Sequence, residues 1–358
     1  MLNLQDRLRE PGIIVLDGAT GTELQKMGLP PGMAPELWNL KNPKAVKAHY
    51  KAYIEAGCDA ILTNSFGGTR PRLDMEDSGH LTREINVTAA RLARGMAGDQ
   101  VLVFGSMGPT GLLMEPMGEL TYDKAVVYFA EQAAALAEGG ADCIHIETLS
   151  DLEEAKAAIA GAHQATELPV SITMSFDMHG RTMMGLEPAV AVQELWALDV
   201  VAVGANCGRA LKDNLEAITA MRTAVPEAVL VGKPNAGLPR ADATGTVIYD
   251  VTPEILAEYG LKFAAQHVKL LGACCGSTPE HIKALKATIA GFEPPALEEV
   301  LAQNRAAIAN AGPGTGRKAR RTSRRRWPAL ITACGRSPPK PCAASAIRRA
   351  SATENRRR

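Results

Sequence analysis

Three of the seven cysteines are spaced in a way that could bind a metal ion. Cys207 stands alone in an Asn-Cys-Gly sequence, whereas Cys274 and Cys275 are adjacent and precede Gly276. Three protein ligands with one open coordination position are typical of a catalytic zinc site, while a structural site is closed by four ligands. No Cys-x-x-Cys pair occurs in the sequence to suggest a structural site. The spacing alone also permits three buried structural thiols or a disulfide between Cys274 and Cys275.

Two carboxylates stand where apolar runs end, Asp17 in Leu-Asp-Gly-Ala-Thr-Gly-Thr and Glu147 in His-Ile-Glu-Thr. Such a pair could act as general acid and base, or it could hold an ammonium group. A structural role, in which the carboxylates accept hydrogen bonds from loop amides, is a third interpretation. His145 lies two residues before Glu147 and therefore on the same face of a strand. We interpret His145 as a core residue rather than as a ligand or a base.

Three further side chains follow apolar runs, and we predict that Asn206, Asn235 and Phe66 contribute to substrate binding. The glycine-rich stretch 105–111 could hold an anion with its backbone amides, but it lacks the lysine of a phosphate-binding P-loop. Cys58 and Cys143 lie at a helix end and near a strand start, so we interpret both as core residues.

These residues must be positioned by a repeated strand–helix unit. Short apolar, β-branched runs, each followed by a turn and a helical pattern, recur at residues 13–17, 60–64, 101–105, 142–147, 170–175, 200–206, 228–232 and 268–274. Eight such units in about 280 residues fit an α/β fold of the TIM (β/α)8 barrel type. Because a barrel gathers the carboxyl ends of all its strands at one mouth, the polar residues that follow the runs are predicted to meet there.

A doubly wound open sheet is the alternative architecture. It would place a G-x-G-x-x-G sequence after the first strand and would concentrate polar motifs at one switch point. The sequence shows neither feature, so we favour the barrel. Helix starts are also marked: an Asn-Pro or Thr-Pro pair places proline at the first helical position at 42–43, 252–253 and 278–279. Ser150 with Glu153 predicts a capping box.

The composition is that of a folded protein with a large core. The chain has 358 residues, 46% of them hydrophobic and 22% charged, which excludes disorder of the whole chain and a small disulfide scaffold. No apolar run approaches the roughly 18 residues that a membrane-spanning helix requires. The first residues are polar and charged and contain no apolar signal core. We therefore expect a cytoplasmic location with reduced cysteines.

The net charge of zero hides an asymmetry along the chain. Residues 317–358 contain 14 lysines and arginines against one acid, Glu354, and are also rich in proline, serine and alanine. We predict two regions, a barrel domain at 1–311 and a disordered basic tail at 312–358. A basic tail could touch nucleic acid, but a solvated extension or an altered reading frame is the preferred interpretation, because Trp327 is its one aromatic residue.

Five of these motifs together resemble the homocysteine S-methyltransferase family. They are Asp-Gly-Ala-Thr-Gly-Thr from Asp17, Thr-Asn-Ser-Phe-Gly from Thr63, Gly-Pro-Thr-Gly from Gly108, Asn206-Cys207-Gly208, and Gly-Ala-Cys-Cys-Gly-Ser-Thr-Pro-Glu-His from Gly272. The resemblance covers roughly residues 10 to 292. The family includes betaine–homocysteine methyltransferase and the homocysteine-binding barrel of cobalamin-dependent methionine synthase.

The resemblance implies a TIM barrel that transfers a methyl group to the thiol of homocysteine and so gives methionine. It implies that zinc is held by Cys207, Cys274 and Cys275, and that Asp17 and Glu147 help to hold the amino group of homocysteine. Parts of the sequence are similar to betaine-type enzymes, which favours glycine betaine as the methyl donor. An onium donor favours aromatic faces, for which Phe66, Trp38 and Tyr122 are candidates.

Other donors and roles are alternatives to this interpretation. The donor could be S-methylmethionine, dimethylsulfoniopropionate, or methylcobalamin on a separate corrinoid protein, which would then be a partner. A non-catalytic partner subunit is a further alternative, opposed by the presence of all three presumed ligands and both carboxylates. An oligomer is compatible with the sequence, whereas a membrane or a nucleic-acid partner is not expected.

Overall fold

Eight parallel strands form one sheet, and each of the eight predicted apolar runs overlaps one of them. The computed structural model describes residues 3–176, 179–241 and 247–311. Its strands are β1 (Ile14–Val15), β2 (Ala60–Leu62), β3 (Leu102–Met107), β4 (Cys143–Leu149), β5 (Val170–Met174), β6 (Ala202–Cys207), β7 (Leu230–Pro234), β8 (Arg240–Ala241), β9 (Val247–Ile248) and β10 (Val268–Leu271). The short β8 and β9 form a separate antiparallel pair.

The sheet closes on itself, which confirms the TIM-like barrel. Its strand order is β1-β10-β7-β6-β5-β4-β3-β2, and a single bridge between Leu16 and Ala60 joins the two ends. Side chains reinforce this seam: Asp17 Oδ2 accepts a hydrogen bond from the Leu62 amide at 2.7 Å, and Asp59 Oδ2 accepts one from the Val15 amide at 2.8 Å. Carboxylates thus replace ladder hydrogen bonds where the strands are shortest.

Helices cover the outside of the sheet and connect the strands. They are α1 (Leu4–Arg9), α2 (Gly21–Lys26), α3 (Trp38–Lys41), α4 (Pro43–Glu55), α5 (Arg70–Asp74), α6 (Thr82–Ala97), α7 (Tyr122–Gly139), α8 (Leu152–Ala165), α9 (Pro188–Trp196), α10 (Leu211–Ala224), α11 (Pro253–Ala265), α12 (Pro279–Ile289) and α13 (Leu297–Ala311), with 3-10 turns at Pro35–Leu37 and Gly79–Leu81. Within the described residues, no helix has the length and apolar content that crossing a membrane requires. The predicted basic tail, 312–358, lies outside the described residues.

The start of α8 differs from its prediction. Its N-cap is Asp151 rather than Ser150, and the carboxylate accepts hydrogen bonds from the amides of both Glu153 and Glu154. A carboxylate one residue later is the stronger cap, because it satisfies two free amides and also carries the charge that a helix N-terminus favours. The other starts are confirmed: α4, α11 and α12 each begin with proline immediately after the predicted Asn or Thr.

The core has two layers. The larger one lies between the sheet and the helices and includes Cys58. The smaller one fills the inside of the barrel and includes Phe104, Cys143 and Val231. Both cysteines are therefore core residues, as predicted. Because side chains alternate along a strand, residues that follow Cys143 and Val231 at even spacing face the same interior, nearer the mouth.

Candidate metal and substrate site

The structure brings the three predicted cysteines together at the mouth of the barrel. Cys207 is the last residue of β6, and Cys274 and Cys275 follow β10, with β7 between the two strands. Their sulfur atoms all lie within 4.8 Å of one another, and the Sγ atoms of Cys207 and Cys274 are 3.0 Å apart. All three are free thiols and partly exposed. Such a cluster could hold a metal ion.

Irregular backbone turns these thiols toward one point. β10 ends at Leu271, so Cys274 and Cys275 lie beyond the strand, where adjacent side chains need not face opposite sides. Gly276 has φ +80, and a Cβ there would lie 2.2 Å from Cγ of Tyr249. Only glycine fits both the left-handed backbone and the ring against it. Cys207 itself has φ +55, an uncommon conformation for a residue with a side chain.

Asn206 connects two sides of the mouth. Its Oδ1 accepts hydrogen bonds from the Thr148 amide and from Thr173 Oγ1, both at 2.8 Å. Its Nδ2 donates to Thr148 Oγ1 at 2.7 Å and points toward the sulfurs of Cys207 and Cys274, at 3.6 and 3.9 Å. The side chain of Asn206, which the sequence predicts to bind substrate, therefore positions the thiols.

Both predicted carboxylates are buried beneath the thiols, and a lysine lies with them. Asp17 is fully buried, and its Oδ1 accepts a hydrogen bond from Lys233 Nζ at 3.4 Å. Glu147 is 6% exposed and accepts a hydrogen bond from Ser106 Oγ at 2.5 Å. Lys233, in β7, is only 1% exposed. The structure thus assembles a charged floor of Asp17, Glu147 and Lys233.

The charges on this floor depend on one another. Burial raises the pKa of Asp17 to about 6, although the ammonium of Lys233 opposes the shift. Burial also raises the pKa of Glu147, again against the effect of Lys233. For Lys233, burial lowers the pKa, but the negative charges of Asp17 and Glu147 outweigh it, and the pKa is raised. Lys233 is therefore the shared counter-charge of both carboxylates.

The sulfurs are coupled in the same way. Hydrogen bonds from the thiols of Cys207 and Cys274 lower the pKa of Cys275, whereas hydrogen bonding with Cys274 and Cys275 raises the pKa of Cys207. One thiol of the cluster thus ionises readily and makes the next ionisation harder. A divalent cation would remove this conflict, since it stabilises all three as thiolates.

The remaining predicted residues lie at the rim or in the core. Asn235 Nδ2 donates to the Gly208 carbonyl at 2.7 Å, and its buried Oδ1 has no partner within the described part of the chain. Phe66 is 36% exposed, and a Cβ on Gly108 would lie 2.5 Å from its ring. Tyr122 is exposed at the start of α7, whereas Trp38 is buried and packs in the larger core.

Buried polar side chains fix the loops that carry these residues. Glu36 Oε1 accepts a hydrogen bond from the Gly67 amide at 2.6 Å, next to Phe66. Gln132 Nε2 donates to the Ser65 carbonyl at 2.7 Å. Glu154 Oε1 accepts hydrogen bonds from Thr110 twice, from the amide at 2.9 Å and from the hydroxyl at 2.6 Å. The loops after β2 and β3 are therefore held from the helices behind them.

His145 lies inside the barrel, two residues below Glu147. It is fully buried, and its Nδ1 lies 2.8 Å from Ser171 Oγ. Burial, and then the nearby charge of Lys233, lower its pKa well below the usual value, so the ring is neutral. This agrees with the interpretation of His145 as a core residue.

Sequence reasoning missed Lys233, Ser106, Thr148 and Tyr249. Lys233 had a signal, because a lysine inside an apolar strand run, Leu-Val-Gly-Lys-Pro, must be either exposed or paired when buried. Its partner Asp17 is 216 residues away, so no local pattern names it. Ser106 in β3, Thr148 in β4 and Tyr249 just after β9 have no local signal, and only the three-dimensional arrangement brings them to the site.

A closed parallel barrel with convergent thiols above buried carboxylates is typical of (β/α)8 proteins, whose functional sites lie at the carboxyl ends of the strands. The chain belongs to the homocysteine S-methyltransferase family, whose model matches residues 14–289. The chain is 31% identical over 303 residues to a methionine synthase of Mycobacterium tuberculosis. The matched region covers 79% of this chain but only 25% of that protein. A Mycobacterium leprae methionine synthase is 31% identical over 298 residues, with coverages of 78% and 24%. The chain thus spans about a quarter of the length of these relatives.

Solved structures show the same fold. The metallated form of the homocysteine methyltransferase MmuM from Escherichia coli superposes with a TM-score of 0.67 at 24% identity, covering 79% of this chain and 99% of that one. Its apo form gives a TM-score of 0.61 at 22% identity, with coverages of 79% and 99%. At 22–24% sequence identity, these two structures show that the chain shares their barrel fold.

Proposed function

We propose that this protein is a zinc-dependent S-methyltransferase that methylates homocysteine to methionine. The observation that carries the proposal is the convergence of Cys207, Cys274 and Cys275, whose sulfurs lie within 4.8 Å of one another at the barrel mouth. Family membership supports homocysteine as the acceptor and a methyl group as what is transferred.

Zinc fits the donor set better than other common divalent cations. Three thiolates are soft ligands that select zinc over magnesium, calcium or manganese, which prefer oxygen. Three protein ligands are the number that leaves a zinc position for substrate. The Nδ2 group of Asn206 points toward two of the sulfurs, and such outer hydrogen bonds orient ligands and tune a metal site. When bound, the ion supplies the Lewis acidity that lowers the pKa of an incoming thiol.

The chain's own residues bind and orient the acceptor. A free alkyl thiol has a pKa near 8.5, so only a few per cent is thiolate at neutral pH. Asp17 and Glu147 would hold the ammonium group of homocysteine, since both are buried below the cysteines and the charge of Lys233 favours their ionised forms. With its amino end held on the floor, the acceptor presents its thiol to the three sulfurs and its free lone pair to the mouth.

The donor is proposed to be a small onium compound, with glycine betaine first. The acceptor thiol loses its proton to solvent, and its sulfur bonds to the methyl carbon while the methyl–nitrogen bond of betaine breaks. That electron pair stays on the nitrogen of the departing dimethylglycine. Aromatic faces attract onium groups; Phe66 and Tyr122 are exposed, and the Tyr249 ring lies against Gly276. S-methylmethionine and dimethylsulfoniopropionate meet the same requirement.

Methylcobalamin on a separate corrinoid protein is the second candidate donor. It is favoured by the methionine synthase relatives, of which this chain covers 25% and 24%, so that three quarters of each relative has no counterpart in the matched region. A donor carried by another protein would require the mouth to stay open to a partner surface.

A donor assay tests the proposal. Purified zinc-loaded protein is mixed with homocysteine and, separately, with betaine, S-methylmethionine, dimethylsulfoniopropionate or methylcobalamin, and methionine is measured. We expect methionine from at least one onium donor, with betaine giving the highest kcat/KM. Methionine from methylcobalamin alone would refute the onium donor, and no methionine from any donor would refute the proposed function.

A further inference from the structure

Lys233 is among the most deeply buried charged groups of the barrel. Its side chain is 2% exposed, and Nζ lies 3.4 Å from Oδ1 of Asp17, whose side chain is fully buried. The residue pairs with Asn206 across β7 and β6 and lies two residues beyond Val231, which faces the barrel interior. Lys233 therefore points into the barrel at the level of the residue that supports the thiols.

Charged or titratable groups face Lys233 from three directions. Asp17 comes from the end of β1, Glu147 and His145 from β4, and Cys274 from the end of β10. An ammonium group can donate three hydrogen bonds. Among the described residues Lys233 makes one, the long bond to Asp17. Lys233 therefore acts on the neighbouring carboxylates mainly through its positive charge rather than through hydrogen bonds.

The positive charge of Lys233 decides how many carboxylates of the floor can be ionised. Two carboxylates buried close together do not both ionise easily, and one tends to keep a proton. With the positive charge of Lys233 near both carboxylates, both can be ionised, and the floor then carries a net charge of −1, which matches one substrate ammonium. Burial raises the pKa of Asp17 to about 6 even with Lys233 present. Without the lysine, the pKa would rise further and Asp17 would hold a proton at neutral pH.

We propose that Lys233 is a positioning residue for the acceptor: its charge keeps Asp17 and Glu147 ionised together, so that the floor selects a thiol that carries an α-ammonium group. Lys233 acts through the two carboxylates and makes no contact with the acceptor. This inference rests on the proposed function, because it assumes that the two carboxylates hold the amino group of homocysteine.

The test compares two thiols that differ only in the amino group, homocysteine and γ-mercaptobutyrate. Dissociation constants for both are measured by calorimetry on the zinc-loaded protein, and their ratio is the ammonium preference. In Lys233→Met one carboxylate should keep its proton, so the ammonium group meets one ionised carboxylate instead of two. We expect this preference to fall by about tenfold, equivalent to about 1.4 kcal/mol, while affinity for γ-mercaptobutyrate stays within about twofold. A loss of folding or of zinc would weaken both thiols equally, so zinc content is measured alongside.

Lys269→Met is the matched control. Lys269 lies on the neighbouring strand β10, at the end away from the mouth, where its Nζ donates to the Gly12 carbonyl at 2.8 Å. Its replacement should leave the ammonium preference at the wild-type value. A preference lost equally in both variants would overturn the inference.

A second test compares a single variant that neutralises the floor with a double variant that restores its net charge of −1. Asp17→Asn leaves Glu147 and Lys233, a net charge of zero, and should lose the preference. The double variant Asp17→Asn with Lys233→Met returns the floor to −1 and should recover part of it. Asparagine keeps an oxygen that can accept the Leu62 amide hydrogen bond that Asp17 makes. A double variant no better than Asp17→Asn would overturn the inference, even where Lys233→Met alone does not fold.

These outcomes separate the inference from the proposed function. A wild-type protein that prefers homocysteine, with Lys233→Met keeping that preference, refutes the role of Lys233 only. A wild-type protein that binds both thiols equally refutes the assigned roles of Asp17 and Glu147 and this inference with them. Failure of methyl transfer with every donor refutes the proposed function and leaves the binding comparison standing.

Discussion

At the scale of single residues, the candidate site is made by backbone positions that regular strands do not offer. Cys207 adopts φ +55, a conformation that costs a residue with a side chain on the order of 1 kcal/mol. Cys274 and Cys275 lie beyond the end of β10, where Gly276 and the Tyr249 ring fix the turn. The strain is stored where three sulfurs must face one point, which is what a metal site requires.

Cys274→Ser should abolish methyl transfer and lower bound zinc below one ion per chain. Cys274 is central to the cluster, since its sulfur lies 3.0 Å from that of Cys207 and receives the weak hydrogen bond from Asn206. Zinc is measured by elemental analysis and activity by methionine formation. Cys143→Ala, which removes a core thiol outside the cluster, should keep its zinc. Full activity in metal-free Cys274→Ser would contradict the role of zinc.

At the scale of elements, the site is held by helices that reach forward into the loops after β2 and β3. Glu154 on α8 is buried and accepts both hydrogen bonds from Thr110. Glu36 and Gln132 hold the neighbouring loop in the same manner, through Gly67 and Ser65. Each loop therefore keeps its shape because a side chain from elsewhere satisfies its backbone.

Glu154→Ala should lower the free energy of unfolding by about 1–3 kcal/mol, because the buried Thr110 amide and hydroxyl lose their acceptor. The measurement is urea unfolding of the zinc-loaded protein. The matched control is Glu153→Ala, which removes an exposed carboxylate next to it on α8 and a surface ion pair with Lys156. That control should change stability by less than about 1 kcal/mol. Equal losses in the two variants would mean that the Thr110 contacts contribute nothing specific.

The strands and most helix starts could be predicted because their signals are local. Apolar runs, prolines and capping residues lie within a few positions of the element they mark. The start of α8 shows the limit, since Ser150 and Asp151 are both good caps and only the end of β4 at Leu149 decides between them. The three sulfurs were also foreseen, because strand ends of a barrel converge.

The floor could not be predicted in full, since its contacts are distant in sequence. Lys233 and Asp17 are 216 residues apart, and Ser106 and Glu147 are 41 apart. The aromatic rim shows the same limit. The sequence offers Trp38 as a candidate for binding an onium group. Its burial in the larger core depends on packing between distant residues, which no local motif predicts.

At the scale of the whole molecule, the barrel buries several titratable groups whose protonation then depends on folding. His49, on α4, is 1% exposed and contacts the rings of Tyr50 and Tyr53, and neither of its ring nitrogens has a hydrogen-bond partner within the described residues. Burial lowers the pKa of His49 from 6.5 to about 4. The unfolded chain therefore takes up this proton at a higher pH than the folded protein does.

The free energy of unfolding should fall as the pH drops from about 6.5 toward 4, and His49→Leu should reduce that fall by about 2 kcal/mol between neutral pH and pH 5. Asp17 acts in the opposite direction, because its pKa is raised by burial, so the difference between variant and wild type isolates His49. Urea unfolding at several pH values gives the profile. His80→Leu, on an exposed histidine, is the control and should keep the wild-type profile. Parallel profiles for wild type and His49→Leu would contradict this assignment.

The barrel closes at one weak place, and Asp17 is part of that closure. One oxygen of this carboxylate accepts the Leu62 amide beside the single bridge between β1 and β2, while the other faces Lys233. In the proposed function, acceptor binding and the closure of the barrel are therefore thermodynamically linked through the side chain of Asp17. A measured change of affinity at this position is a composite of two free energies, and hydrogen exchange of the Leu62 amide, with and without the acceptor, would separate them.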